Sequence, residues 1–189
     1  MPAPRTRLET PRLVLRPLTA ADAAAVQRLA GDPEVAKSTA DLPFPFELEM
    51  AEAWLATQEA LREEGRLFAF GIEERAAPGL LAGAIGLTVE REHLRAELGY
   101  WLGRGSWGKG YATEAGAATL AFAFVDLGLE RVFANHLASN GRSGRVLERL
   151  GFRHEGTFRR HVRRFGAVED LEWRGLLREE WAAAMAPGA

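Results

Sequence analysis

The chain has 189 residues, 47% of them hydrophobic and 26% charged, which is typical of one soluble globular domain. A formal net charge of −2 argues against nucleic-acid binding as its main task. The absence of cysteine excludes a disulfide scaffold, a thiolate metal site and a cysteine acyl-enzyme. Because we find neither an apolar signal core nor a membrane-length apolar run, we expect a cytoplasmic protein with no membrane partner.

The first part of the chain predicts one strand and two helices. Residues 12–18 alternate apolar and polar side chains, as in a half-buried strand. Thr19 and Asp22 have the spacing of a capping box at the start of a helix. Residues 31–46 contain three prolines and predict a loop, and residues 47–64 predict the second helix.

The remaining patterns complete a mixed sheet. They predict a three-stranded meander, a helix, a strand, a short helix, two strands and a last helix. In chain order these elements cover residues 66–74, 79–90, 95–103, 112–127, 131–137, 139–152, 153–164, 168–177 and a segment around Trp181. The order β-α-α-β-β-β-α-β-α-β-β fits an α/β fold with helices on both sides of a mixed sheet. We predict a single domain over residues 8–185.

A glycine-rich segment at 103–115, GRGSWGKGYATEA, resembles three kinds of phosphate-binding loop. A dinucleotide fold needs an acidic residue at the end of the next strand, and residues 131–137 supply none. A nucleotide triphosphatase loop needs a hydroxyl after Lys109, where the chain has Gly110. A third type, a glycine turn into a helix, can cradle pyrophosphate on backbone N–H groups without a metal. A turn that binds nothing is the alternative.

Several motifs, in order and spacing, resemble the GNAT N-acetyltransferases. WGKGYATEA at 107–115 matches their cofactor loop, although Trp107 stands at the first position of the pattern R/Q-x-x-G-x-G/A. The segment 140–156 is similar to the ribosomal-protein N-terminal (alanine/serine) acetyltransferase branch. DPEV at 32–35 and AELGYWL at 96–102 resemble that branch too.

The resemblance implies acetyl-coenzyme A as co-substrate and a sheet whose fourth and fifth strands splay apart. The loop would hold the pyrophosphate, and the pantetheine arm would follow the fourth strand. The cofactor-binding residues implied in this way are Trp101, Leu102, Gly103, Trp107, Gly108, Lys109, Gly110, Tyr111, Ala112, Thr113, Asn140 and Ser143. No metal is implied, and His136, His154 and His161 lack metal-ligand spacing.

Direct attack of an amine on the thioester is the reaction that the resemblance implies. Glu97 is the expected base, and a backbone N–H near Leu102 is expected to bind the carbonyl oxygen. Many relatives have a tyrosine acid at the position of Leu147, so we assign the acid to Ser143. A solvated carboxylate at Glu97 and an ordinary helix cap at Ser143 are the alternatives.

The acceptor is predicted to be a protein or peptide N-terminus, with a ribosomal protein favoured by the resemblance. Leu42, Phe44 and Phe46 are predicted to line its site, and Asp170 to attract its ammonium, unless that carboxylate is structural. The basic residues 158–164 could meet the cofactor 3′-phosphate, RNA or only solvent. A small amine such as an antibiotic, a polyamine or an amino acid is the second hypothesis, a non-catalytic coenzyme-binding module the third, and a homodimer stays open.

Overall fold

The centre of the protein is an eight-stranded mixed sheet, seen in a computed structural model that describes residues 5–185. The strands are β1 (Leu8–Glu9), β2 (Leu13–Pro17), β3 (Leu67–Glu74), β4 (Leu81–Glu90), β5 (Arg95–Leu102), β6 (Arg131–Leu137), β7 (Arg153–Arg164) and β8 (Ala167–Leu177). Their order is β1-β2-β3-β4-β5-β6-β8-β7. Neighbours pair antiparallel except β5 and β6, which are parallel. The predicted α/β fold with a mixed sheet is confirmed.

Helices cover both faces of this sheet. They are α1 (Ala23–Ala30), α2 (Pro33–Lys37), α3 (Leu48–Ala56), α4 (Gln58–Glu63), α5 (Tyr111–Ala121), α6 (Gly141–Arg149) and α7 (Arg178–Met185). One hydrophobic core lies between α5 and the sheet face that carries Leu98 of β5. The second core lies on the opposite face of the sheet, between helices α1 and α3 and the region near Trp101. Alternate residues of a strand point to opposite faces, so β5 contributes to both cores. Within residues 5–185 no helix has the length and apolar character that a membrane crossing needs.

Three sequence-based boundaries are corrected by the structure. The predicted loop at 31–46 contains α2, because the Asp32 carboxylate accepts a hydrogen bond from the Glu34 N–H at 2.8 Å and Pro33 opens the helix. The predicted helix at 47–64 is divided at Thr57 into α3 and α4. The predicted helix at 112–127 ends its α-helical part at Ala121 and continues as a π-helical turn.

The predicted capping pattern anchors α1 to the sheet. Asp22 accepts a hydrogen bond from the Thr19 backbone N–H at 2.8 Å, as a capping box requires. Its carboxylate also accepts hydrogen bonds from the two terminal guanidinium nitrogens of Arg16, at 2.9 and 2.7 Å. Arg16 in turn contacts Glu73 on β3 at 2.7 Å. This network fixes the position of the helix that covers the β3–β5 part of the sheet.

Candidate active site

A gap between β5 and β6 forms the centre of the candidate site. The parallel ladder joins three residue pairs, of which Glu97 and Phe133 are the last. Both strands continue beyond this pair, to Leu102 and to Leu137, without further pairing between them. The fourth and fifth long strands therefore splay apart, as the resemblance implied; they are β5 and β6 because the short β1 precedes them.

The backbone of β5 alternates between two partners along this gap. The Gly103 N–H donates to the Ala82 carbonyl at 2.9 Å, so Gly103 and Trp101 direct their backbone groups to β4. Tyr100 and Leu102 consequently direct theirs toward the gap. The Leu102 carbonyl already accepts the Trp107 indole N–H at 2.7 Å. The groups that an extended ligand can reach are therefore those of Tyr100 and the N–H of Leu102.

The N-terminus of α5 meets the end of β5 through two glycines. Gly108 and Gly110 have φ angles of +75° and +80°, which L side chains rarely adopt. A Cβ at Gly108 would meet no atom within 4 Å, so the space beside it is open. Tyr111 begins α5 directly after Gly110. The first N–H groups of a helix lack internal partners and lie at the positive end of its dipole, which favours an anion here.

Ion pairs on the outer side of this loop hold it in place. Lys109 Nζ lies 3.1 Å from a carboxylate oxygen of Glu74. The guanidinium of Arg12 donates to the Lys109 carbonyl at 3.0 Å and pairs with Glu114 at 2.6 Å. Lys109 therefore contributes its backbone to the shape of the loop, while its charge is engaged with a carboxylate.

One polar atom beside the loop lacks a partner. Thr113 Oγ1, in the first turn of α5, is buried and has no hydrogen-bond partner among residues 5–185. A buried hydroxyl without a partner is costly, and a phosphate oxygen would accept its hydrogen bond. The glycine turn and this atom are features that suit the pyrophosphate of a coenzyme.

The start of α6 faces β5 across the gap. The Asn140 side chain caps this helix by accepting the Ser143 N–H at 3.1 Å, and its amide donates to the Ser38 carbonyl at 2.7 Å. The Ser143 hydroxyl lies 2.6 Å from the hydroxyl of Tyr100. Burial raises the pKa of Tyr100 to about 12, so its hydroxyl keeps its proton at neutral pH. Leu147, the position at which the resemblance implied a tyrosine acid, is fully buried in the core.

Glu97 lies at the point where the two strands separate. Its carboxylate accepts a hydrogen bond from the Asn135 amide of β6 at 2.6 Å. Burial raises the pKa of the Glu97 carboxyl above its usual range, the negative charge of Asp41 adds to this, and the Asn135 hydrogen bond opposes it. A carboxylate with a raised pKa is a stronger base, and this suits proton removal from an amine.

The predicted acceptor walls are brought to the same side of the sheet, with two exceptions. Leu42 and Phe46 line the cavity, whereas Phe44 is 45% exposed and packs on Phe165 with ring centroids 5.2 Å apart. Asp170 does not line the cavity. Its carboxylate accepts the Arg160 backbone N–H at 2.7 Å, which stabilises an irregular part of β7 where Arg160 has a φ of +52°. The structure thus favours the structural alternative for Asp170.

A cavity of about 1340 Å³ connects these features. The sequence-predicted residues in its wall are Leu42, Phe46, Glu97, Trp101, Leu102, Trp107, Gly108, Gly110, Tyr111, Ala112, Thr113, Asn140 and Ser143. Phe44, Gly103, Lys109 and Asp170 lie outside this wall. Gly103 has a packing role, because a Cβ there would come within 2.6 Å of Leu29 on α1.

Two residues of the site were missed by the sequence analysis. Tyr100 lies within the motif at 96–102, but its contact with Ser143 depends on how β5 meets α6. Asn135 lies in the strand at 131–137, and nothing local in the sequence indicates that it contacts Glu97. Parallel pairing of two predicted strands was the signal that could have placed Asn135 beside Glu97.

Known proteins share this architecture. A family model described as acetyltransferase (GNAT) domain matches residues 12–153. The uncharacterized N-acetyltransferase YoaA of Bacillus subtilis is 34% identical over 164 residues, which are 86% of this chain and 92% of YoaA. The [ribosomal protein uS5]-alanine N-acetyltransferase of Escherichia coli is 29% identical, with 94% of each chain covered.

A solved structure adds a coenzyme complex to these relatives. RimJ of Mycobacterium smegmatis, in complex with CoA-disulfide, superposes with a TM-score of 0.76 at 26% identity, over 91% of this chain and 88% of RimJ. The splayed strands, the glycine turn and these relatives agree with one another. The chain belongs to the GNAT family and is an N-acetyltransferase of the acetyl-coenzyme A type.

Proposed function

We propose that this protein transfers the acetyl group of acetyl-coenzyme A to the N-terminal α-amine of a protein or peptide, with a ribosomal protein as the first candidate. The observation that carries the proposal is the half-buried Glu97 carboxylate at the mouth of the gap, where Asp41 adds a second negative charge. The kinship with the E. coli enzyme supports a ribosomal acceptor. Such an acceptor implies a reaction in the cytoplasm.

Cofactor binding is assigned to the glycine turn and the gap. The N–H groups around Gly108, Gly110 and Tyr111 would hold the pyrophosphate, and Thr113 Oγ1 would donate to it. The Tyr100 carbonyl and the Leu102 N–H would hold the pantetheine arm. When bound, acetyl-coenzyme A supplies the activated acetyl group. Among residues 5–185, the histidine and carboxylate side chains form no cluster of three suited to a metal ion.

Glu97 has the role of proton acceptor for the attacking amine. An α-amine has a pKa of about 8, so a useful fraction is neutral at pH 7, whereas a lysine amine with a pKa of about 10.4 would need a stronger base. Because the pKa of Glu97 is raised, it lies closer to the pKa of an α-amine than the pKa of an ordinary glutamate does. Asn135 keeps the carboxylate in one orientation through its 2.6 Å hydrogen bond.

Ser143 and the backbone of Tyr100 act on the other atoms of the reaction. The Tyr100 N–H faces the gap and would donate to the acetyl carbonyl oxygen as negative charge develops on it, while Glu97, three residues earlier on β5, would take the amine proton through a water molecule. The Ser143 hydroxyl would donate to the departing sulfur, whose thiol pKa of about 8.5 makes a weak donor sufficient. A hydrogen bond in which Tyr100 donates to Ser143 would leave the serine proton free for the sulfur.

A competition assay tests the proposed acceptor. N-terminal peptides, lysine peptides with blocked termini, and small polyamines are offered together with acetyl-coenzyme A, and products are identified by mass spectrometry. We expect acetylation at peptide α-amines. Acetylation confined to the small amines would overturn the peptide assignment in favour of a small-molecule acceptor, and coenzyme binding without any transfer would indicate a binding module.

A further inference from the structure

The sheet face that carries Glu97 continues as a row of aromatic rings. Phe133 on β6 stacks on Trp173 of β8, with centroids 5.4 Å apart and planes at 16°. Trp173 contacts Phe158 of β7 at 5.3 Å, and Phe158 contacts His161 at 5.1 Å. These four residues are called the aromatic row below. It runs across the strands from the centre of the sheet to its edge.

The aromatic row begins beside the candidate base. Phe133 and Asn135 are two residues apart on β6, so their side chains lie on the same face of the sheet. Asn135 donates to the Glu97 carboxylate. Phe133 is paired with Glu97, and this is the last pair of the β5–β6 ladder. An acceptor whose amine reaches Glu97 therefore has the first ring of the row as its immediate neighbour.

Exposure increases along the row toward the sheet edge. Phe133 is buried, Trp173 is half-buried and Phe158 is 47% exposed. Helices α1 and α3 cover this face over β3 to β5. In the described part of the chain, the face is left uncovered over β7 and β8, where a peptide chain would make apolar contact with the exposed rings.

We propose that the aromatic row binds the residues that follow the acceptor N-terminus and selects apolar side chains there. This inference rests on the proposed function and names the acceptor as an extended polypeptide with apolar residues behind its α-amine. An extended chain advances ~3.3 Å per residue, so the row accommodates about five residues. Aromatic surfaces bind apolar side chains through burial and stacking, so serine or charged residues at these positions bind less well.

A peptide series on the unaltered protein tests the row directly. Peptides begin with alanine, continue with either leucine or serine, and extend from a dipeptide to a heptapeptide. For the leucine series we expect kcat/KM to rise roughly tenfold between dipeptide and pentapeptide and then level off. The serine series should show little rise. The readout is the ratio of kcat/KM for pentapeptide over dipeptide.

Variants connect this ratio to the row. Phe158→Ser should bring the leucine ratio down to that of the serine series, and Phe158→Leu should restore most of it. Leu80→Ser is the matched control, because Leu80 is 66% exposed in the turn between β3 and β4, and its ratio should equal the original one. Thermal unfolding of each variant checks that the fold is retained.

The outcomes separate this inference from the proposed function. If peptides are acetylated but kcat/KM does not depend on their length, the row does not bind the acceptor, and the proposed function stands. The same conclusion follows if Phe158→Ser leaves the pentapeptide-to-dipeptide ratio of kcat/KM unchanged. Absence of transfer to every peptide α-amine overturns both. Dimerisation that Phe158→Ser abolishes would assign the row to a second copy of the chain and would also overturn the inference.

Discussion

The hydroxyl oxygens of Tyr100 and Ser143 lie 2.6 Å apart, joining β5 to the start of α6 across the gap. The tyrosine pKa of about 12 keeps its proton in place at neutral pH. Either hydroxyl can donate in this contact, and when Tyr100 is the donor the Ser143 proton is free to point elsewhere. Under the proposed function, this pair would supply the acid that the buried Leu147 cannot.

Removal of either hydroxyl should slow transfer. We expect Ser143→Ala to lower kcat about tenfold to a hundredfold and Tyr100→Phe to lower it by less, with coenzyme affinity little changed. The double variant should be no slower than Ser143→Ala, because Tyr100 acts through Ser143. Steady-state kinetics and calorimetry with coenzyme A measure these effects. Independent, additive losses would contradict a shared role.

Loss of the Glu97 carboxylate should remove the Glu97 step from the acidic limb of the pH profile and leave the step at which the acceptor amine loses its proton. Glu97→Gln is expected to lower kcat/KM by about a hundredfold with an α-amine peptide. In the original protein the rate should rise with pH as Glu97 loses its proton, at a pH above the usual glutamate range because burial raises this pKa. Glu92→Gln, an exposed carboxylate on the β4–β5 connection, is the control. An unaltered profile in Glu97→Gln would mean that another group is the base.

Asn135 should tune the same limb without supplying the base. Its hydrogen bond stabilises the charged form of Glu97 and so lowers the carboxyl pKa. Asn135→Leu should therefore move the acidic limb to higher pH while transfer persists at high pH. The pH dependence of kcat/KM is the measurement. A limb that stays in place or moves to lower pH would show that the amide does not act on Glu97 in this way.

A carboxylate in the glycine turn should abolish coenzyme binding. Gly110→Glu introduces strain at a φ of +80° together with bulk and negative charge where the phosphates would bind. Gly79→Glu is the matched control, since Gly79 has a φ of +82° and open space around it but lies in the β3–β4 turn. Calorimetry with coenzyme A in EDTA should show binding for the control and none at millimolar ligand for Gly110→Glu. Equal affinities would place the pyrophosphate elsewhere.

Asp22 should contribute to stability in a pH-dependent manner. Its pKa lies below the ordinary 3.8 because of the Arg16 hydrogen bonds, so its contribution is present above pH ~4 and is lost as pH falls through the lowered value. Asp22→Asn should lower the free energy of unfolding by about 1–2 kcal/mol at pH 7. Chemical denaturation at pH 7 and at acid pH should show this difference shrinking. Glu64→Gln, in an exposed ion pair, should have almost no effect.

The sequence predicted the long strands because their patterns are local. Residues 66–74, 79–90 and 131–137 reappear as β3, β4 and β6 within two residues. The two-residue strand β1 was missed, since a pair of residues has no periodicity to recognise. The break at Thr57 was also missed, because a threonine inside an otherwise helical pattern does not by itself end a helix.

The site was predicted as far as motifs reach and no further. The glycine turn could be predicted because Gly108 and Gly110 have positive φ angles, which glycine adopts without steric strain. For Asp170 the sequence left a structural role and an acceptor role open, because its partner, the Arg160 N–H, lies ten residues away on an irregular strand. Contacts such as Glu97 with Asn135 arise from strand register between distant segments, which no single stretch of sequence encodes.

The gap between β5 and β6 also makes the sheet a partition between two ligands. The turn into α5 packs with the core on one face, and Glu97 with the 38–46 loop belongs to the other. Acetyl-coenzyme A and the acceptor amine would then enter from opposite faces of the sheet and meet only in the gap between β5 and β6. With no cysteine to store an acetyl group, initial rates should follow a sequential pattern. Mutation of the acceptor walls can therefore change which amine is chosen without disturbing the half that holds the coenzyme.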